Sequence, residues 1–215
     1  MRIGILSDIH ANLPALEAAF QVFQTQGVDR VICAGDLVEK GEHGDEVVAM
    51  LEESWVPCVM GNHDENAVIH AETEPLYEED NKLPLQERTI SFLRNLPHQR
   101  QYEWEGYSLM IAHATPTSLH ANLFRDPKTG QFAKAFKKSL LRSSIDILIL
   151  GHTHTPLHAH FRGIQIFNPG SVCVGRTRDS HTCAILDLPA CDFEVFSLKS
   201  GNVIPHWVLE EEPTV

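Results

Sequence analysis

The chain has 215 residues, 43% of them hydrophobic and 21% charged, and a formal net charge of −12 at pH 7. This composition excludes a disordered or fibrous protein, and the length fits one domain over residues 1–215. The negative charge argues against generic binding to nucleic-acid backbones, which depends on basic patches. No stretch reaches the roughly 18 apolar residues of a membrane span, and the five cysteines lack Cys-x-x-Cys spacing, so we expect a cytoplasmic protein.

The first 64 residues alternate short apolar runs with segments of helical periodicity. The runs predict strands at Arg2–Leu6, Arg30–Ala34 and Val56–Met60, with helices at about 12–27 and at Asp45–Glu53 between them. Strands alternating with helices favour parallel pairing, which brings the carboxyl ends of neighbouring strands to one edge of a sheet. Asp8, Asp36 and Asn62 each follow one of these strands, and we therefore expect them at that edge.

An acidic, weakly patterned stretch follows at 65–80, and we interpret it as a solvated helix or loop. After this stretch most of the predicted elements are strands. A helix at about 85–96 leads to a predicted hairpin of Arg100–Glu105 with Tyr107–Ala112. A helix is expected at Thr129–Arg142 and an apolar strand at Asp146–Leu150. Further strands, mostly antiparallel, are predicted at His158–Phe161, Ile164–Phe167, Val172–Val174, Thr182–Leu188 and Phe193–Leu198.

Side chains that can bind metal follow five of the predicted strands. They belong to Asp8-Ile9-His10, Gly35-Asp36, Gly61-Asn62-His63-Asp64, His113 and Gly151-His152-Thr153-His154. Carboxylate, amide and imidazole donors without thiolates suit Mn²⁺, Fe²⁺, Ni²⁺, Co²⁺ or Zn²⁺ better than Ca²⁺ or a structural zinc finger. Any one of these residues alone would more often be a turn residue or a hydrogen-bonded histidine. Seven candidate ligands with one shared carboxylate are enough for two ions, which can act together in a displacement at phosphorus.

The ordered set of motifs resembles the calcineurin-like metallophosphoesterase superfamily. The start of the chain, Ile5 to Asn12, and the segment Asn168 to Val172 resemble its small bacterial and archaeal phosphodiesterase branch. The resemblance implies an α/β fold, a four-layer α/β/β/α sandwich of two mixed sheets. It also implies a dinuclear metal centre, with two divalent ions per chain. We expect Mn²⁺, with iron, nickel, cobalt and zinc as alternatives.

The same resemblance assigns roles residue by residue. It implies that one ion is held by Asp8, His10 and His154, the other by Asn62, His113 and His152, with Asp36 as the bridge. His63 would lie outside the metal ligands, near the leaving oxygen, and Asp64 would fix its orientation. Both are the expected catalytic residues.

The function implied is a hydrolase, most simply a phosphodiesterase that cleaves small or nucleotide-like phosphate esters with a hydroxide activated by two metals. A phosphomonoesterase, a phosphoprotein phosphatase and a dinucleoside-polyphosphate phosphatase remain alternatives. A catalytically silent protein-interaction scaffold of the same fold is the alternative from another class. We expect a small substrate and no membrane partner, and a homo-oligomer stays open.

One departure from the family pattern affects the substrate side of the site. Ala114 follows His113, where His-Gly is the commoner pair, and the added methyl group could narrow the approach to the metals. The segment Thr117–Gly130 matches no motif, and we expect it to border the substrate. Four cations are candidate phosphate or base contacts, or equally surface charges: Arg125, Lys128, Arg176 and Arg178.

Overall fold

The protein is described from a computed structural model that covers residues 1–73, 84–126, 130–173 and 181–209. The helices are α1 (Leu13–Gln26), α2 (Gly44–Glu53), α3 (Asn62–Thr73), α4 (Glu87–Arg94) and α5 (Lys134–Leu140). The strands are β1 (Arg2–Leu6), β2 (Arg30–Cys33), β3 (Gln99–Trp104), β4 (Tyr107–Ala112), β5 (Phe124–Asp126), β6 (Gln131–Phe132), β7 (Ile147–Ile149), β8 (Pro156–Phe161), β9 (Ile164–Pro169), β10 (Thr182–Asp187), β11 (Asp192–Ser197), β12 (Val203–Ile204) and β13 (Trp207–Leu209).

Two mixed sheets form the centre of the molecule. The first has five strands in the order β12-β11-β10-β1-β2, and the second has six in the order β13-β8-β9-β7-β4-β3. Strands β1 and β2 are parallel, with Ile5 opposite Ile32, and β4 and β7 are parallel, with Ile111 opposite Ile149. Each of these four strands leads at its carboxyl end into one of the ligand-bearing motifs. The sheet topology therefore carries the motifs of both halves of the chain toward common loops.

Alternating side chains on the strands build three apolar layers. Between the sheets lie fully buried side chains of both, including Ile5, Ile111 and Phe167. The outer face of the first sheet packs against α1 to α4, and the outer face of the second against α5, through Phe136 on that helix. Helices thus cover both outer faces, and the expected four-layer α/β/β/α sandwich is confirmed.

Several local expectations hold, and the capping chemistry explains the clearest of them. Helix α1 begins after Asn12, whose side-chain oxygen accepts the Ala15 N–H at 3.2 Å, and it has Pro14 in its first turn. It ends at Gly27, whose φ of +65° is the left-handed conformation common at helix C-termini. The predicted hairpin forms as β3 and β4, paired antiparallel from Gln99–Ala112 to Trp104–Tyr107.

Other local expectations are wrong. Residues 56–60 form only an isolated bridge, Cys33 with Cys58, and Asn62 begins helix α3 instead of a loop. The helix expected at 129–142 is shortened to α5, because residues 131–132 pair as β6 with β5. Val172 and Cys173 are not in a strand, and Val174 lies outside the described residues, as do 74–80 of the acidic stretch. Strands β12 and β13 were not predicted. Among the described residues, no helix has the length and apolar character to cross a membrane.

Candidate metal centre

The loops that follow β1 and β2 are bonded to each other through their backbones. The Asp8 N–H donates to the Gly35 carbonyl at 2.9 Å, and the His10 N–H donates to the Asp36 carbonyl at 3.0 Å. Five of the seven predicted ligands adopt left-handed backbone conformations, with φ between +52° and +65°: Asp8, His10, Asp36, His152 and His154. Non-glycine residues seldom adopt this conformation, and clusters of them are typical of functional sites.

At two motif positions, neighbouring loops approach so closely that only glycine fits. A Cβ atom at Gly61 would overlap the backbone N and the Oδ1 atom of Asp36, and one at Gly151 would overlap the Ser7 hydroxyl and lie 2.8 Å from Asp8 Oδ2. The absence of a side chain therefore lets the Gly61 and Gly151 loops press against the loops that hold the two aspartates.

Asp8, His10 and His154 form the first group of donors, and all three are buried. Asp8 Oδ2 is held by the Ser7 hydroxyl at 2.6 Å and by the His152 N–H at 3.0 Å. Among the described residues no group donates a well-aligned hydrogen bond to Asp8 Oδ1, which lies 3.1 Å from His154 Nε2 and 3.9 Å from His10 Nε2. A buried carboxylate oxygen that two imidazole nitrogens face suits a cation between them.

His113, His152 and Asn62 form the second group. Asn62 Oδ1 lies 3.1 Å from His113 Nε2 and 2.9 Å from His152 Nδ1. His113 Nδ1 is 2.7 Å from the carbonyl oxygen of Ala34, which can only accept, so Nδ1 carries a proton and Nε2 faces the group. An imidazole oriented by a backbone carbonyl in this way is the arrangement typical of metal-binding histidines.

Asp36 lies between the two groups. Its Oδ2 atom is 3.7 Å from His10 Nε2 and 3.3 Å from His113 Nε2, while Oδ1 accepts the His63 N–H at 2.9 Å. Three overlapping sets of donors in the described residues could each hold an ion: Asp8 with His10 and His154, His10 with Asp36 and His63, and Asp8 with Asp36 and His113. The structure thus brings all seven predicted ligands together, and the donor set fits divalent metals.

Burial and mutual charge shift the ionisation of this cluster. Burial opposes ionisation of Asp36, yet His113, His10 and the His63 N–H lower its pKa below the ordinary value. Burial would lower the pKa of His113, but the Asp36 charge and hydrogen bond raise it to about 9. Burial lowers the pKa values of His10 and His152 to about 4. At neutral pH these two imidazoles are therefore uncharged, which is the form that binds metal.

Two charged residues that follow Asp36 in the chain also reach the cluster, and neither was predicted. The Glu39 carboxylate contacts His63 Nδ1, and Lys40 Nζ lies 2.6 Å from His10 Nε2. Glu39 and Lys40 both have positive φ, which turns the loop back toward the ligands. The sequence offers one signal for them, a pair of charges three and four residues after an expected ligand, and that signal alone is weak.

Asp64 has a different place from the one expected. It is fully buried, and its carboxylate accepts four backbone N–H groups, those of Asp36, Leu37, Val38 and Gly61, at 2.8–3.2 Å. Burial and the Asp36 charge raise the pKa of Asp64 to about 6, against the effect of these hydrogen bonds. The carboxylate that contacts the His63 ring is Glu39, whereas Asp64 ties the Asp36 loop to the start of α3.

An open cavity of about 530 Å³ adjoins the first donor group. Its lining includes His10 and His154 together with Asn12, Lys40 and Cys173. Of the segment expected to border the substrate, none of residues 117–126 lines this cavity, and Arg125 is exposed on β5 away from it. Lys128, Arg176 and Arg178 lie outside the described residues. The cavity is of the size that small-molecule sites have, about 300–1,000 Å³.

Comparisons with known proteins agree with this geometry. Residues 1–190 match the family model of the calcineurin-like phosphoesterase superfamily domain. Phosphodiesterase YfcE of Escherichia coli is 25% identical over 204 residues, covering 95% of this chain and 96% of that protein. A phosphodiesterase of Methanocaldococcus jannaschii is 22% identical over 199 residues, covering 93% and 100%. The fold matches the crystal structure of a metallophosphoesterase from Sphaerobacter thermophilus with a TM-score of 0.70, at 23% identity, covering 96% and 89% of the two chains.

Proposed function

The chain belongs to the calcineurin-like phosphoesterase superfamily, and from that premise we propose that it is a metal-dependent phosphodiesterase acting on small or nucleotide-like esters. The observation that carries the proposal is the placement of Asp36 between two groups of buried donors. A single carboxylate that faces both groups suits a pair of ions. Two relatives that span almost the whole chain are named phosphodiesterases, which supports the choice among phosphate esters.

The proposed ligand assignment follows the two groups. Asp8, His10 and His154 would hold one ion, Asn62, His113 and His152 the other, and Asp36 both; Mn²⁺ is the expected metal, in a cytoplasmic enzyme. When bound, such ions supply Lewis-acid charge for the phosphoryl oxygens and lower the pKa of water enough to form a nucleophile at neutral pH. Asp8 Oδ1 and the two histidine Nε2 atoms that face it are the atoms best placed to hold the first ion.

His63 is the proposed proton donor to the leaving oxygen. Its Nδ1 atom is occupied by Glu39, so its Nε2 atom is the one available to give a proton. The Glu39 carboxylate at Nδ1 also fixes the orientation of the imidazole ring. Lys40, at the edge of the same cluster, supplies a positive charge that would bind a substrate phosphate in a protein whose net charge is −12.

Asp64 is proposed as a positioning residue rather than a catalytic one. By accepting N–H groups from both the Asp36 loop and Gly61, it fixes the distance between a bridging ligand and the helix start that carries Asn62 and His63. Its effect on the reaction would therefore pass through the placement of those side chains.

The test is hydrolysis by metal-stripped protein to which a single divalent metal is returned. We expect Mn²⁺ to restore turnover of bis(p-nitrophenyl) phosphate, with two metals per chain by elemental analysis. Faster turnover of p-nitrophenyl phosphate under the same conditions would instead favour a phosphomonoesterase. No turnover of either ester with any of Mn²⁺, Fe²⁺, Ni²⁺, Co²⁺ or Zn²⁺ would overturn the proposal and favour a scaffold role.

A further inference from the structure

A second cavity, of about 410 Å³, lies at the end of the molecule opposite the metal cluster. It opens between the edge strands of the two sheets, where β2 begins at Arg30 and β3 ends at Trp104. The metal ligand Asp36 follows the carboxyl end of β2, and the lining of this cavity extends along that strand as far as Ile32. The residues of the metal centre do not line it.

Three aromatic side chains contribute to its wall. Two of the three tryptophans of the chain, Trp55 and Trp104, line this cavity together with Tyr102. Tyr102 and Trp104 stack, with ring centroids 4.4 Å apart and planes inclined by 18°. Trp55 leaves 90% of its surface exposed and has a φ of +53°, so the turn after α2 holds an indole in solvent in a strained conformation. An exposed indole at the mouth of a cavity offers a ring face for stacking.

Two residues of opposite charge, Arg30 and Asp29, line this cavity. The Arg30 guanidinium lies 5.9 Å from the Trp104 ring centroid, and no carboxylate among the described residues forms an ion pair with it. The carboxylate of Asp29, also in the lining, accepts the Arg2 N–H at 2.7 Å. The Arg30 guanidinium donors have no acceptor among the described residues, so they are available to an anionic group. A long polyanion is disfavoured by the net charge of −12, which leaves a small anion.

We propose that this cavity binds a planar aromatic anion of about mononucleotide size, with its ring stacked on Trp55 and its anionic group paired with Arg30. The volume falls within the range of small-molecule sites. The ligand needs both an aromatic ring and an anionic group, because stacking on Trp55 and pairing with Arg30 would each contribute only part of the binding free energy. The proposal is independent of the phosphodiesterase activity, since no residue of the metal centre takes part.

The experiment uses AMP as the probe, with adenosine and ribose 5-phosphate as its two halves, in calorimetric titrations of the metal-stripped full chain. We expect AMP to bind with one-to-one stoichiometry, and Trp55→Ala and Arg30→Gln each to weaken it by about tenfold, since one stacked base or one charged hydrogen bond is worth about 1–3 kcal/mol. Arg30→Gln should not change the binding of adenosine, and Trp55→Ala should not change that of ribose 5-phosphate.

Matched controls separate this site from general effects. Trp207→Ala removes a tryptophan that is 45% exposed on the opposite edge of the second sheet, and Arg142→Gln removes an exposed arginine elsewhere; both should leave AMP binding unchanged. Turnover of bis(p-nitrophenyl) phosphate by the metal-loaded Trp55 and Arg30 variants should equal that of the wild type. AMP binding that both variants retain at full strength, or no saturation below about 1 mM, would overturn the proposal.

Discussion

Replacing Asp64 with asparagine tests whether this carboxylate organises the loops or directly assists the reaction. The carboxylate accepts four buried N–H groups, two on each oxygen. Asparagine keeps one oxygen, so in either orientation two N–H groups lose their acceptor and face an amide that also donates. Two unsatisfied buried donors cost about 2–6 kcal/mol. The raised pKa of Asp64, about 6 against 3.8, means that removing its buried charge offsets about 3 kcal/mol of this at pH 8, so we expect Asp64→Asn to lower the free energy of unfolding by up to about 3 kcal/mol.

The assay is urea denaturation of metal-stripped protein at pH 8, above the pKa of about 6, where the wild-type carboxylate is ionised. Asp146→Asn is the matched control, because Asp146 is exposed and accepts the single N–H of Ser108, which the remaining amide oxygen can still bind. That control should change stability by less than about 0.5 kcal/mol. If Asp64→Asn unfolds at the wild-type urea concentration and loses only turnover, the assignment of Asp64 to loop architecture is wrong.

Four further variants test the centre itself. Asp36→Asn should lower the metal content measured by elemental analysis, because it weakens the ligand between the two groups; full occupancy would contradict this. His63→Ala should keep both metals but hydrolyse esters of poor leaving groups about 10²–10⁴-fold more slowly, and a wild-type rate would remove its role as proton donor. Glu39→Gln should lower kcat by about 10–100-fold on the same esters with little change in KM. A change in KM alone would show that the contact of Glu39 with His63 does not serve proton donation. The pKa of His113, about 9 without metal, means that its ring is protonated at pH 7.5 and must lose that proton to bind metal. Metal affinity should therefore rise with pH up to about 9, and calorimetry in buffers of different ionisation enthalpy should show a released proton that disappears in His113→Asn.

The ends of the buried strands could be predicted from the sequence because each apolar run stops at a polar motif. Leu6 is followed by Ser7 and Asp8, and Ile149 by Leu150, Gly151 and His152, so the motifs themselves mark where strands give way to loops. Parallel pairing of β1 with β2 and of β4 with β7 places the motifs that follow them at the carboxyl end of each sheet, whereas Asn62 follows only an isolated bridge. The identity of the ions and their assignment to particular ligands stay predictions.

The features that the sequence did not predict depend on tertiary contacts. Glu39 reaches His63 because the loop after Asp36 turns back through two positive-φ residues, and no periodicity records such a turn. A helix or loop was expected from residue 65, but the start of α3 at Asn62 was missed, because its buried positions include the polar Asp64, which weakens the apolar pattern that indicates a helix. Strand β13 has three residues, and it is defined by pairing with β8 rather than by its own sequence.

The left-handed conformations of the ligand loops bear on how this chain can change over evolutionary time. Glycine would relieve the backbone at Asp8, His10, Asp36, His152 and His154, where a left-handed L-residue costs roughly 1–2 kcal/mol. Replacing one of these side chains by glycine would relieve that strain, against the loss of hydrogen bonds such as those of Asp8 and Asp36 and the folding entropy of glycine. The presence of all five side chains here lowers the folding stability, and a chemical use for them would account for that cost.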